Sequence, residues 1–420
     1  MTANQPMTTT LGAVAEFING GAWSQTEYSG EGVPVVRVTD IKDETVDLSD
    51  CKFLPKSALN KYRKHLLRAG DLVICTVGSH PTQPGSVVGR PAIIPIRAHG
   101  SFLNQNAVCI RASSPDLDQL WLGYLGRSSK FHDYVKSCAR GAANQVRMAI
   151  GLFKEMPIDV PPLPVQRRIA GILSAYDELI ENSQRRIRLL EDMARALYRE
   201  WFVHFRFPGH DSVPRLPSAL GDIPQGWEVK KLGDIADVNR AQINVRSAPE
   251  ELHYIDISSV SPGRIDSSTT YTFADAPGRA RRIVQHGDIL WSCVRPNRRS
   301  HALVMHPEPE TIASTGFAVL TPSKVPFPFL YFATTTDEFV KFLENSATGA
   351  AYPAVSAKTF EEADLLVPPS NMLEAFAKSA IPMAEEIHTL HLQIQNLRRT
   401  RDLLLPRLLS GRTTRIRPAL

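Results

Sequence analysis

Arginine dominates the basic side chains of the second half of the chain, in a pattern that suits contact with nucleic acid. Three arginines precede the apolar run Asp288–Val294, and three more follow it. A planar guanidinium can bridge two phosphate oxygens or the O6/N7 edge of guanine, so this set could hold a DNA backbone and read bases. A solvated loop is the alternative interpretation. The candidates for DNA contact in this half are Arg279, Arg281, Arg282, Arg295, Asn297, Arg298 and Arg299.

The first half carries a looser basic set and two segments rich in side-chain amides. The basic residues suit phosphate contacts, with a solvated helix face as the competing interpretation. Asparagine and glutamine can read adenine edges through paired hydrogen bonds, although they are also common in turns. The candidates in this half are Lys61, Arg63, Lys64, Asn104, Gln105, Asn106, Arg140, Asn144, Gln145 and Arg147.

The sequence lacks the patterns that are typical of a catalytic or metal centre. It contains no phosphate-binding loop, no H-E-x-x-H helix and no G-x-S-x-G nucleophile turn. Its 12 histidines show no ligand spacing, and its 5 cysteines form no C-x-x-C pair. We therefore expect no catalytic residues and no bound metal. A nuclease fused to recognition domains is a competing hypothesis, which activity of the purified chain with magnesium would decide.

The elements that must position these residues come from an internal repeat. The chain has 420 residues, a length that predicts more than one domain. Landmarks that recur in the same order are 11–16 and 232–237, 70–75 and 287–292, 140–143 and 348–351, and 160–162 and 367–369. Ordered matches of this kind indicate duplication.

Between the landmarks, short β-branched runs alternate with helical periodicity, which predicts an α+β unit in each half. The predicted strands include Val33–Val38, Val87–Ile96, Tyr254–Ser258 and Phe317–Thr321. The predicted helical stretches are Asp118–Cys138 and Pro328–Asn345.

Each half ends in a long helix with one apolar face. Apolar residues recur at spacings of three and four, with an irregularity near Ser183 in the first helix and with Arg401 as a polar exception in the second. Burying a leucine-sized side chain is worth about 1.5–3 kcal/mol, so these faces should pair with each other. The predicted pairing residues are Ile169, Leu173, Tyr176, Ile180, Ile187, Leu190, Leu197, Met383, Ile387, Leu390, Ile394, Leu397 and Leu404.

Two equivalent helices can pair in antiparallel fashion if a pseudo-twofold axis relates the halves. A helix of roughly 40 residues is about 60 Å long, so the pair would hold two globular domains at a fixed separation. DNA half-sites one turn apart are separated by about 34–36 Å, a spacing that such a pair could match. A coiled coil that only joins proteins is the alternative.

The bulk properties give weaker indications. The net charge of +5 favours polyanionic partners only slightly, and 43% hydrophobic residues is ordinary for a soluble globular protein. Met1–Thr10 lacks an apolar core, and no run approaches the roughly 20 apolar residues that cross a bilayer. We expect a cytoplasmic protein with reduced thiols and no contact with membranes.

Three segments together resemble the specificity subunit of type I restriction-modification systems. They are Val160–Leu173 with Asp177–Asn182, then Ile223–Trp227, and finally Leu403–Gly411. The resemblance covers nearly the whole chain. It departs from the family at Val165, where glutamate is usual before the glutamine, and at Ser370–Glu374, which lacks the Glu-Gln pair.

The resemblance implies two target-recognition domains, at residues 1–163 and 227–370. Spacer helices would cover 164–207 and 371–412, with a linker at 208–226, and the helices would form an antiparallel coiled coil. Each domain would read one half of a bipartite, asymmetric target in double-stranded DNA, and the helices would set the gap.

The family also implies a division of labour. Methyltransferase subunits, two of them, would dock on the helices, and restriction subunits would join through these. Adenine methylation and ATP-driven cleavage would belong to the partners, so S-adenosylmethionine, ATP and magnesium would bind there and no cofactor would bind this chain. A related type II system stays an alternative.

Overall fold

A computed structural model describes residues 6–42, 44–79, 86–140, 146–218, 221–244, 246, 248–349 and 351–410. The chain divides into two compact units. Unit 1 combines residues 1–181 with 395–420, and unit 2 consists of residues 182–394. Each unit therefore contains one globular domain and parts of both long helices.

Unit 1 contains fourteen short strands and five short helices among its described residues. The strands are β1 Met7–Thr10, β2 Ala15–Asn19, β3 Val33–Val36, β4 Ile41–Lys42, β5 Thr45–Val46, β6 Lys52–Leu54, β7 Leu72–Cys75, β8 Val77–Gly78, β9 Pro91–Ile93, β10 Phe102–Leu103, β11 Ala107–Ala112, β12 Ala139–Arg140, β13 Val146–Met148 and β14 Pro157–Val160. The helices are α1 Leu11–Val14, α2 Ala58–Lys61, α3 Gln119–Gly126, α4 Ser129–Cys138 and α5 Ile150–Lys154.

The first long helix, α6 Leu163–Tyr198, runs from unit 1 into unit 2 and continues as a π-helical turn at Arg199–Val203. Unit 2 then adds strands β15 Arg215–Ser218, β16 Gly221–Pro224, β17 Glu228–Lys231, β18 Ala236–Val238, β19 Glu251–Ile255, β20 Val260–Ser261, β21 Arg264–Ile265, β22 Thr269–Thr272, β23 Ala280–Ile283, β24 Ile289–Ser292, β25 His301–Leu303, β26 Thr311–Ser314, β27 Phe317–Pro322 and β28 Asp364–Val367. Its helices are α7 Leu232–Ile235, α8 Phe327–Thr334, α9 Asp337–Ser346 and α10 Ala357–Glu361, and the second long helix is α11 Ser370–Leu409.

The two units share one strand topology. The four-stranded order β2-β11-β7-β9 in unit 1 matches β18-β27-β24-β25 in unit 2. The pair β1-β14 matches β17-β28, and β4-β5 matches β20-β21. In β10-β3-β6 the first pairing is parallel and the second antiparallel, as in β26-β19-β22. The predicted internal repeat and the α+β class are confirmed.

A glycine turn starts the fully buried central strand of each unit. Gly70 and Gly287 both have φ +87°, a conformation that side chains with a Cβ rarely adopt. Strands β7 and β24 follow, and every one of their residues is buried. A continuous apolar run fits a strand that is covered on both faces.

The predicted helical stretches 118–138 and 328–345 are each two helices in the structure. Ser128 ends the first of them by accepting a hydrogen bond from the Phe131 amide at 3.2 Å, and so caps α4. Thr336 caps α9 in the same way, through the Phe339 amide at 3.1 Å. A side-chain hydroxyl that accepts a hydrogen bond from a free backbone amide stabilises the start of a new helix at that point. The apolar periodicity of the sequence did not reveal these two breaks.

The long helices lie against each other within each unit. In unit 1, Leu173 and Leu405 belong to one apolar core, and Asp177 contacts Arg401 at 2.7 Å. In unit 2, Arg186 contacts Glu386, and the rings of Tyr198 and Phe376 lie 6.1 Å apart. In each unit, the residue numbers of the contacting residues rise along α6 as they fall along α11. The predicted antiparallel pairing is therefore present in both units.

All thirteen predicted pairing residues are buried or partly buried. The irregularity at Ser183 disappears in the structure, because Ser183 itself is buried and fills the next seam position. Among the described residues, no helix combines the length and the apolar character needed to span a membrane.

Candidate nucleic-acid interface

Two loops of unit 2 are joined through their backbones into one surface. The first follows β24, and the second lies between α9 and α10. Val294 and Ala354 form an isolated β-bridge, and the Arg295 amide donates to the Pro353 carbonyl at 2.7 Å. The Val355 amide donates to the Cys293 carbonyl at 2.9 Å. We call this surface the paired loops of unit 2, residues 293–300, 347–349 and 351–355.

The first of these loops has a tightly constrained backbone. A 3₁₀ turn at Pro296–Arg298 is flanked by Arg295 and Arg299, which have φ of 52° and 53°. Left-handed backbone at a residue other than glycine costs of order 1–3 kcal/mol and clusters at functional sites. The constraint fixes where the arginine side chains start.

The side chains of the paired loops differ in how strongly they are held. The guanidinium of Arg295 lies over the ring of Tyr352, 4.6 Å from its centroid, and Tyr352 is 69% exposed. Arg299 donates to Asp337, and this hydrogen bond lowers the pKa of the Asp337 carboxyl. Asn297 and Arg298 are exposed. The paired loops therefore carry two exposed polar side chains and an exposed aromatic ring that is stacked on a cation.

Unit 1 has the equivalent loops, joined in the same way. Strand β13 pairs with β8 on one side and with β12 on the other. Arg140 and Arg147 are directly opposite each other across β12 and β13, and both are exposed. The predicted candidates Asn144 and Gln145 lie outside the described residues. The structure thus places the basic candidates Arg140 and Arg147 of unit 1 where unit 2 carries its paired loops.

Comparison with known proteins is consistent with this arrangement. A model of the family "Type I restriction modification DNA specificity domain" matches residues 6–192 and again 224–375. The chain belongs to this family. It is therefore a DNA-recognition chain of the type I class, and the two matched regions coincide with the repeat.

Individual relatives agree with the family assignment. The type I restriction enzyme MjaIX specificity subunit of Methanocaldococcus jannaschii is 25% identical over 296 residues, which are 69% of this chain and 68% of that protein. The HindI specificity subunit of Haemophilus influenzae is 21% identical over 436 residues, covering 87% of this chain and 90% of that one. The crystal structure of a type I S subunit from M. genitalium has the same fold, with a TM-score of 0.59, 17% identity and 97% coverage of both chains.

The other arginines of this specificity-family chain lie on a different sheet. Strand β23 carries Arg281 and Arg282, and Arg279 comes just before it. Arg279 is exposed and lies 3.7 Å from Asp256. Arg281 stacks over Phe273, and burial of Arg282 lowers its pKa. Within this set Arg279 is exposed, while Arg281 and Arg282 are partly buried.

Two of the first-unit candidates, Arg63 and Lys64, border an open cleft of about 630 Å³. Lys61 is engaged with Glu27 at 2.6 Å, and the hydrogen bonds from Lys61 and Tyr62 lower the pKa of the Glu27 carboxyl to about 2. Arg63 and Lys64 are exposed and line the cleft. Phosphate contact stays open to these two side chains.

The amide candidates 104–106 form the turn between β10 and β11. The Asn104 amide donates to the Val36 carbonyl at 3.0 Å, while the Asn104 carbonyl accepts from the Ala107 amide at 3.2 Å. Gln105 and Asn106 are exposed at the tip of the turn. This is the turn environment that competes with base reading for such residues.

The polar exception at Arg401 belongs to a buried ion cluster in unit 1. Arg401 donates to Asp177 at 2.7 Å and to Glu44 at 3.0 Å. Asp177 also accepts from Arg127 at 2.6 Å and from Tyr124 at 2.8 Å. These bonds tie both long helices to the globular domain. The pKa of Asp177 is lowered because the charges and hydrogen bonds of Arg127 and Arg401 outweigh the effect of burial.

Two features of the structure were missed by reasoning from the sequence alone. Tyr352 follows the second copy of the 140–143 landmark, and this position was a usable signal. The cluster around Arg401 gave a weaker signal, since a buried arginine on a seam requires acidic partners. The sequence does not show which of the acidic residues these are.

Proposed function

We propose that each unit reads one half of a split DNA target through its paired loops. The observation that carries the proposal is that both units join the same two loops into one surface and place exposed basic side chains there. Membership of the DNA specificity family supports it. The two surfaces differ in side chains, so the two half-sites would differ in sequence.

In unit 2, Asn297 and Arg298 are the side chains we assign to base or phosphate contact. Both are exposed on a backbone that a 3₁₀ turn holds in place. Tyr352 offers an aromatic face beside a cation, a combination that stacks on bases or sugars. In unit 1 we assign the same role to Arg140 and Arg147.

The long helices would set the gap and bind two methyltransferase subunits, through which restriction subunits join. Exposed apolar residues on the helices support a protein contact there, with Leu189 57% and Met193 55% exposed one turn apart. Methylation, cleavage and the binding of S-adenosylmethionine, ATP and magnesium would then belong to the partners. The purified chain should show neither methylation nor cleavage of DNA.

The test uses the chain assembled with its methyltransferase subunits. Mapping methylated adenines in a host that carries the intact system gives the target. Binding is then measured to the intact target and to probes with either half scrambled. Arg298→Ala should weaken binding to the intact target by roughly ten- to a hundredfold, about 1–3 kcal/mol for a base contact.

The pattern across probes decides the proposal. The affinity of Arg298→Ala should not fall further when the half-site read by unit 2 is scrambled. The affinity of Arg147→Ala should not fall further when the half-site read by unit 1 is scrambled. The binding affinity of Arg279→Ala shows whether the arginines around β23 contribute as those of the paired loops do. Lys324→Ala is a control for the loss of one exposed charge. If Arg298→Ala and Arg147→Ala affect the same half, or neither half, the proposal is wrong.

The role of the helices has its own test. A heptad inserted into both helices, after Glu181 and after Ile394, would lengthen the pair by about 10 Å. We expect the mapped target to keep both halves and to change its gap. An unchanged gap would contradict the spacing role of the helices and leave the proposed reading of DNA by the paired loops intact.

A further inference from the structure

Unit 2 brings two histidines and a glutamate together from distant parts of the sequence. His286 comes just before β24, His306 follows β25, and Glu385 lies on α11. One donor atom from each lies within 4.8 Å of the others. Nε2 of His306 is 2.8 Å from one Glu385 oxygen, and Nε2 of His286 is 4.0 Å from the other.

We propose that His286, His306 and Glu385 form a binding site for a divalent transition metal of the zinc class. Imidazole nitrogen and carboxylate oxygen are the donors that zinc uses, and two histidines with one glutamate are a recognised zinc set. Donors around a tetrahedral zinc lie roughly 3.3 Å apart, so the widest of these separations has to shorten by up to about 1.5 Å, while the His306–Glu385 contact has to lengthen slightly. All three are half-exposed, which leaves room for this movement.

The surroundings of the site provide a third imidazole and a constrained backbone. His388 lies about one helical turn after Glu385, and its ring centroid is 5.3 Å from that of His306. His306 has φ 43°, an uncommon conformation for a residue with a side chain. The structure therefore fixes the His306 side chain on the face of α11 that carries Glu385 and His388.

The corresponding contact in unit 1 shows why a cation belongs here. There, Arg97 follows β9, the counterpart of β25, and forms a salt bridge with Glu181 on α6. Arginine carries its own charge at all ordinary pH values. In unit 2 the same connection between loop and long helix is made by His286 and His306, whose ring nitrogens can offer a lone pair to a metal. A bound metal would supply the positive charge that Arg97 supplies in unit 1.

Metal binding has one identifiable cost. The His306 amide donates to Nδ1 of His286 at 3.2 Å, the long end of the range for a hydrogen bond. When Nε2 of His286 binds a metal, Nδ1 carries the ring proton, so this contact has to open.

The test is a titration of the full chain, freed of metal with a chelator, with Zn²⁺ and with Co²⁺ at neutral pH. We expect one site per chain and visible absorption bands from bound Co²⁺. Bound Zn²⁺ should also slow hydrogen exchange at residues 286–306 and 383–391, and leave residues 90–99 of unit 1 unchanged. His306→Ala, His286→Ala and Glu385→Gln should each weaken binding at least about tenfold.

His132→Ala, an exposed histidine of unit 1, is the matched control and should bind metal as the wild type does. The proposal is overturned if the three site variants bind Zn²⁺ as tightly as the control. It is also overturned if lowering the pH protects residues 286–306 while Zn²⁺ does not, because a proton alone would then supply the charge. DNA binding is not part of this test, so its outcome is independent of the proposed function.

Discussion

In unit 1 the aspartate after the glycine turn is paired with an arginine, whereas its counterpart in unit 2 faces a hydroxyl. Asp71 accepts from Arg111 at 2.9 Å and from the Arg68 amide at 2.7 Å. Asp288 accepts from the Thr321 hydroxyl and from the Gln285 amide, both at 2.8 Å. Both aspartates are 1% exposed. One scaffold thus holds a buried carboxylate either by charge or by neutral hydrogen bonds.

The start of the long helix shows the same divergence. Gln166, the fourth residue of α6, is fully buried and bonds the Asp118 amide and the Asp116 and Pro161 carbonyls at 2.6–2.7 Å. The fourth residue of α11 is Leu373, which is buried in an apolar core. The missing Glu-Gln pair at the second junction is therefore a replacement of a polar anchor by an apolar one. Duplicated folds can keep their topology while the interactions that hold it change.

The largest effect should come from breaking the charge pair of unit 1. Arg111→Ala leaves the buried Asp71 carboxylate without its cation, which costs about 3–5 kcal/mol. Thr321→Val in unit 2 removes only a neutral donor, which costs about 1–2 kcal/mol. Hydrogen exchange at residues 72–75 and 289–292 reports each unit separately. Equal losses of stability in the two variants would show that arginine and threonine stabilise the two buried aspartates equally, which contradicts the prediction.

A smaller loss should follow replacement of the polar anchor of α6. Gln166→Leu leaves buried backbone groups near Asp118 and Pro161 unpaired, at about 1–3 kcal/mol. The reciprocal change, Leu373→Gln, buries an amide without partners and should also destabilise its unit. Exchange at the first turns of α6 and α11 measures both. A tolerated Leu373→Gln would mean that the second junction can re-form the polar anchor.

The buried aspartate of unit 2, Asp288, should make the stability of that unit depend on pH. Burial raises the pKa of Asp288 above its ordinary value of 3.8. The folded state then binds the proton more tightly than the unfolded state, so this group disfavours folding increasingly as pH rises from 3.8 through the raised pKa. The stability of the wild type relative to Asp288→Asn should fall over that window. Exchange at residues 289–292, corrected for intrinsic rates, checks the sign, and a rise would contradict it.

The smallest effect concerns the salt bridge between Arg97 and Glu181. Both side chains are more than one third exposed, so Arg97→Ala should cost less than about 1 kcal/mol. The loss should not depend on metal, in contrast to changes at His306. Exchange at residues 90–99 with and without Zn²⁺ measures it. A response to Zn²⁺ in unit 1 would remove the contrast between the two units.

Much of the fold could be predicted because its signals are local and repeated. The landmark at 70–75 placed a buried strand, and the spacing from Ile169 to Leu197 placed the paired face of α6. The predictions failed where one hydroxyl outweighs periodicity, as at Ser128 and Thr336. They could not reach contacts such as that between His306 and Glu385, whose partners are far apart in the sequence.

The candidate interface was only partly within reach. Composition identified Arg298 and Arg299 alike, yet the structure separates them, since Arg299 is bound to Asp337 and Arg298 is exposed. Tyr352 was missed because a single tyrosine beside a proline carries no periodic signal. Side chains that are equivalent by type become different once their neighbours are known.

The sequence by itself determined the duplication, the α+β class and the apolar faces of both long helices. These depend on patterns with short periods, and burial enforces such patterns along the chain whatever the final contacts are. Only the tertiary structure decided which polar side chains meet: Asp71 with Arg111, Asp177 with Arg401, and His306 with Glu385. An ion pair or a hydrogen bond stabilises the fold only when its two partners lie within a short distance of each other. For residues far apart in the sequence, the tertiary structure alone sets that distance.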